Sequence, residues 1–120
     1  QTVTLTDPDI DKTLLAGADG PLWYRGLADQ PPAVTPGDVD GILRALQATA
    51  IVVSHTVAPG GRMRSSFGGR VIQIDTGMLG GSFYPDGRPS ALEIREGTFT
   101  AIYPGQREVL ARGLPATPRA

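Results

Sequence analysis

Apolar residues run along this chain in short stretches, broken at close intervals by glycine and proline. The most regular stretch places Val39, Ile42, Leu43 and Leu46 at i, i+3, i+4 and i+7, the repeat of one helix face. Thr35 stands where a cap is needed, Pro36 suits the first helical position, and Asp38 puts an acid at the third. The pattern predicts a helix ending near Gln47. A narrower stripe of Ile10, Leu14 and Leu15 follows Thr6, Asp7 and Pro8 and predicts a short helix over 6–17, closed by Gly17. The acids Asp7, Asp9 and Asp11 lack the glycine and distal glutamate of a calcium loop. Negative charge at a helix N-terminus explains them more simply.

The remaining apolar runs have the period and composition of strands. A strand is expected over 50–53, then two runs, 62–67 and 70–75, joined by Gly68-Gly69. That pair suits a turn needing positive φ. A glycine-rich loop over 78–87 leads to a second hairpin, 91–96 and 98–103, turned at Glu96-Gly97. From Gly105 onward, arginine, proline and alanine suggest a loosely attached tail. The fold class expected is mixed α/β (α+β): a helix–strand unit followed by antiparallel hairpins, in one domain over 1–120.

Composition narrows the function classes. With 40% hydrophobic and 19% charged residues the chain has globular composition, and its net charge of −1 provides no basic field for nucleic acid or an anionic membrane. No apolar run reaches the roughly 18 residues of a membrane span. The absence of cysteine removes disulfides, thiolate ligands and thiol nucleophiles, and leaves bacterial cytoplasm and periplasm equally open. Lys12 is the sole lysine among eleven basic residues. Arginine favours planar, bidentate recognition of oxyanions, but codon usage in a GC-rich genome is the simpler explanation of such a bias.

His55, the one histidine, follows the β-branched run in IVVSHT. Ligand sites gather beyond the carboxyl ends of strands, and an imidazole there suits metal ligation or proton transfer. A structural histidine in a loop is the competing reading. Arg25, beside Trp23 and Tyr24, is suited to an oxyanion and equally to stacking its stem on a ring. Asp75, before Thr76 and Gly77, is a candidate carboxylate or a turn brace. The GGR and FGGR strings lack the lysine and hydroxyl residue of a phosphate loop, so turn glycines are the better account.

Taken in order, GPLWYRGL, IVVSHT, GGR and FGGRVIQIDTGM resemble the second half of bacterial calcineurin-like metallophosphoesterases, relatives of the serine/threonine phosphatases. The resemblance covers roughly residues 19–103. It implies that His55 is a ligand in a two-metal centre (Mn, Zn or Fe), that Arg25 contacts the substrate phosphate, and that Asp75 belongs to the catalytic stretch. Tyr84, in the glycine-rich loop, stands with Arg25 as a substrate-binding candidate. It further implies one half of that family's β-sandwich, a small phosphoester as substrate, and a truncated or subunit-completed form. Two departures matter. Ser54 replaces the glycine usual before the family histidine, and the Asp-x-His, Gly-Asp-x-x-Asp-Arg-Gly and Gly-Asn-His-Glu motifs are absent from these residues. One histidine cannot build a dinuclear centre. A second copy of the chain, or a missing N-terminal half, is therefore expected to complete the fold. Two readings stand beside the metal-dependent hydrolase: a small hydrolase with a repurposed, metal-independent site around His55, and a non-catalytic binding or structural remnant.

Overall fold

The computed structural model describes Asp9 and residues 14–113. The helix expected over 6–17 lies mostly outside those residues, and its described end, 14–17, forms turns. Helix α1 (Pro36–Leu46) begins as its sequence directs. Thr35 Oγ1 accepts from the Asp38 amide at 3.2 Å, while the Asp38 carboxylate accepts from the Thr35 amide at 2.8 Å. This capping box satisfies donors that a helix N-terminus leaves unpaired. The bond from the Thr35 hydroxyl, and then that from its amide, hold the Asp38 carboxyl below its usual range. Gln47 ends the helix in the left-handed region at φ 53°.

Only half of the α1 stripe is buried. Val39 and Leu43 are fully covered and pack on Val71, while Ile42 and Leu46 are 39% and 70% exposed. The sheet beneath is small and mixed. Strand β1 (Ile51–Val53) pairs parallel with β3 (Val71–Gln73), which pairs antiparallel with β2 (Arg64–Ser66) in the order β1-β3-β2. β3 is central and buried along its whole length, which is why Val71 and Ile72 are both apolar rather than alternating with polar residues. A one-turn 3₁₀ segment over Phe67–Gly69 joins β2 to β3 at the expected glycine pair.

The second sheet is wholly antiparallel, β4 (Ala91–Arg95), β5 (Thr98–Tyr103) and β6 (Gln106–Ala111), with β5 in the middle. Glu96 and Gly97 both take positive φ, 49° and 73°, as a two-residue hairpin turn of the right twist requires. β6 corrects the expectation of a loose tail from Gly105. Five residue pairs bind it to β5, Leu110 packs on the core of Met63, Ala101 and Tyr103, and Arg107 pairs across the sheet with Glu93. Its charged residues are compensated across strands, so pairing rather than an apolar run defines it.

The two sheets meet along β2 and β6. Ser65 Oγ donates to Leu110 O at 3.0 Å, and the Met63 amide donates to the buried Tyr103 hydroxyl at 2.9 Å. Arg62 lies 4.7 Å from the Tyr103 ring centroid and bonds Glu108 at 2.5 Å. That bond pushes the Arg62 pKa above its ordinary value. The architecture is thus mixed α/β, a helix followed by two small sheets. Among the described residues no helix is long and apolar enough to cross a membrane.

Candidate functional site

The parallel pairing of β1 with β3 sets up the site. Ile74 N donates to Val53 O at 2.9 Å, extending the ladder to the carboxyl end of β1. Immediately beyond it His55 adopts φ 65°. That left-handed conformation is uncommon outside glycine, asparagine, aspartate and histidine. Such backbone persists where surrounding contacts fix it, and it concentrates at functional positions. Two contacts fix it here. Gln73, buried on β3, donates Nε2 to Thr56 O at 2.7 Å. Arg25 donates Nη1 to His55 O and to Thr56 Oγ1, each at 3.3 Å.

Arg25 reaches across from a segment of successive turns. Trp23 N and Tyr24 N both donate to Gly20 O, and Ala28 N and Asp29 N both donate to Arg25 O. The turns present Trp23, Tyr24 and Arg25 side by side around a recess of about 430 Å³ that Asp19 and Asp29 also line. The Trp23 and His55 rings stand 6.4 Å apart at 50°. An exposed guanidinium, an exposed imidazole and an indole thus converge at one strand end. The described bonds of Arg25 use Nη1 alone, and a guanidinium carries five N–H donors in a fork that fits a phosphate or carboxylate. The guanidinium can bind an oxyanion beside the turn that carries His55.

Of the other sequence candidates, Asp75 follows the carboxyl end of β3 beside that of β1, and Tyr84 falls elsewhere. Asp75 is engaged with its own turn, with Oδ1 accepting from Gly77 N at 2.9 Å and its carbonyl accepting from Ala58 N at 2.8 Å. Tyr84 covers Gly77 and lines a separate recess of about 210 Å³ with Val57, Pro59 and Phe83. Arg25 and His55 are therefore brought together across 30 residues of sequence, whereas Tyr84 and Arg25 line different recesses. Thr76 is fully buried. Its hydroxyl donates to Arg88 O at 2.8 Å, so the 2.7 Å contact with Ser90 takes its proton from Ser90.

Sequence reading missed Thr56, Gln73 and the contact of Trp23 with His55. The one available signal for Gln73 was a polar residue inside an otherwise apolar central strand. Among the described residues no group of three or more histidine, aspartate or glutamate side chains could hold a metal ion. His55 alone does not fit the dinuclear centre that the sequence resemblance implies.

No family model matches the sequence, and no curated protein matches it. A solved structure described as a new structure of cold-active protein tyrosine phosphatase at 1.1 Å shares the fold. Its TM-score is 0.69 with 25% identity, over 90% of this chain and 31% of that one. The chain thus has a phosphatase-like fold and spans less than a third of the phosphatase's length.

Proposed function

We propose that this chain contributes the substrate-binding edge of a phosphoester hydrolase of the calcineurin-like metallophosphoesterase type. The observation that carries the reading is the meeting of Arg25 with the strand-end turn of His55 and Thr56. The shared fold with a phosphatase supports it. In this reading the Arg25 guanidinium binds two phosphate oxygens of a small phosphoester, replacing its long bonds to His55 O and Thr56 Oγ1. Gln73 holds the Thr56 carbonyl next to His55, and the His55 ring stands beside Trp23, which lines the recess, where imidazole can ligate a metal or carry a proton. Trp23 and Tyr24 wall the recess on one side.

A divalent metal (Mn, Zn or Fe) belongs to the proposal, with His55 as one ligand and the other donors coming from outside the described residues. The described residues do not by themselves form its site. Asp75, with one oxygen held by Gly77 N, braces the turn beside the site rather than reaching the phosphate. The test is hydrolysis of a chromogenic phosphomonoester and phosphodiester by the protein with added Mn²⁺, before and after chelation. Turnover that chelation removes is expected. Turnover that survives chelation would overturn the metal requirement, and turnover of neither ester would overturn the hydrolase reading.

A further inference from the structure

A second recess lies on the helix side of the first sheet. β2 and β3 pair with Arg64 opposite Gln73 and Ser66 opposite Val71. Residues two apart share a sheet face, and Val71 packs under α1, so Arg64, Ser66 and Gln73 face the same way. The loop from Leu27 to Pro32 closes over them and leaves a space of about 270 Å³, which Asp29 also lines. Gln73 is 6% exposed, and its Nε2 donates to Thr56 O. A carbonyl accepts only from the amide nitrogen, so this bond fixes the amide's orientation and leaves Oε1 as its acceptor.

The charges of this recess are uncompensated. Arg62, Arg70 and Arg107 each pair with a carboxylate. Among the described residues, neither the Arg64 guanidinium nor the Asp29 carboxylate has an ion-pair or hydrogen-bond partner. Arg64 and Asp29 therefore both line one small space without pairing with each other.

We propose that this recess binds the charged end of a small zwitterion, an α-amino acid being the simplest example. Its carboxylate lies on Arg64, as a fork-shaped donor prefers. Its ammonium, with three donors, bonds Asp29 and the Gln73 carbonyl oxygen, and the Ser66 hydroxyl serves either group. A lone anion would face Asp29 and a lone amine would face Arg64, so the pair of charges selects against both. The volume lies below the range of drug-sized pockets and suits a ligand of amino-acid size. The recess also adjoins the Arg25 cluster, because Asp29 lines both spaces and its amide donates to Arg25 O at 3.0 Å. A phosphorylated amino acid would fill both, and this last step alone rests on the phosphoester reading.

The test is an amide NMR titration of the protein with glycine and L-serine, using N-acetylglycine and glycinamide as single-charge controls. Saturable shifts of the Gln73 side-chain amide are expected with the zwitterions, at least about tenfold weaker with either control, since one charged hydrogen-bonded contact is lost. Arg64→Gln should erase the preference over glycinamide, and Asp29→Asn the preference over N-acetylglycine. The same spectra report that each variant is folded. No saturable shift, or equal affinity for glycine and N-acetylglycine, would overturn the zwitterion site. O-phosphoserine should bind more tightly than serine, through Arg25. If serine binds and its phosphate adds nothing, the recess stands and the phosphoester assignment fails.

Discussion

Replacing His55 with Asn is expected to lower phosphoester hydrolysis by at least about tenfold, the scale on which lost proton transfer or disturbed metal ligation acts. Asparagine is the informative substitution. His55 sits at φ 65°, a conformation asparagine tolerates and alanine resists, so His55→Asn keeps the turn while removing the imidazole. The melting temperature should stay close to that of the parent, because the side chain is exposed and Gln73 still bonds the neighbouring Thr56 carbonyl. His55→Ala would mix lost chemistry with backbone strain. Unchanged turnover in a folded His55→Asn protein would make His55 structural. Turnover lost on mutation but insensitive to chelation would assign the imidazole to proton transfer without a metal.

The largest expected effect on stability from a small substitution is at Gly61. It has φ 59°, and an added Cβ would lie 2.1 Å from Asp86 O and 3.2 Å from Thr76 O. Both obstacles are backbone atoms, so neither can swing aside. The loop over 76–88 would have to shift, against the bond from Arg88 Nη2 to Gly60 O and that from Arg88 N to Thr76 O. Gly61→Ala should cost at least about 2 kcal/mol, combining left-handed strain with displaced backbone. Gly60 is the internal control. Its φ is 68°, yet nothing lies within 4 Å of its added Cβ, so Gly60→Ala should cost only about 1–2 kcal/mol of conformational strain. Urea unfolding of both variants measures the difference. Equal losses would mean that the close approach at Gly61 is not a constraint.

The elements legible in the sequence were those whose signals are local. Thr35, Pro36 and Asp38 announce the start of α1, and the capping box forms between those same residues. Glu96-Gly97 announces a hairpin because a two-residue turn must adopt positive φ, and both residues do. β6 was hidden because its stabilisation is non-local. Arg107 is compensated by Glu93 and Glu108 by Arg62, each on another segment, and the charged run reads as a tail until its partners are in place.

The site divides the same way. His55 could be singled out from its position after a β-branched run, but its left-handed backbone could not. Its contact with Arg25 could not be deduced from spacing, since 30 residues and helix α1 intervene. Only the resemblance put the two in one site. Thr56 and Gln73 escaped notice because what they do is bond across the fold, through a main-chain carbonyl that every residue possesses.

Trp23 offers the most direct measurement of the central claim, that Arg25 and His55 form one oxyanion-binding edge. It is the single tryptophan of the chain, it lines the same recess as Arg25, and its ring is 6.4 Å from that of His55. Its fluorescence should therefore change saturably as inorganic phosphate is added at constant ionic strength, with chloride at the same ionic strength giving no such change. Arg25→Lys should weaken the transition by about tenfold or more, since losing a bidentate charged contact costs roughly 1.5–3 kcal/mol. A fluorescence signal indifferent to phosphate, or one that Arg25→Lys leaves at the parent affinity, would contradict the account.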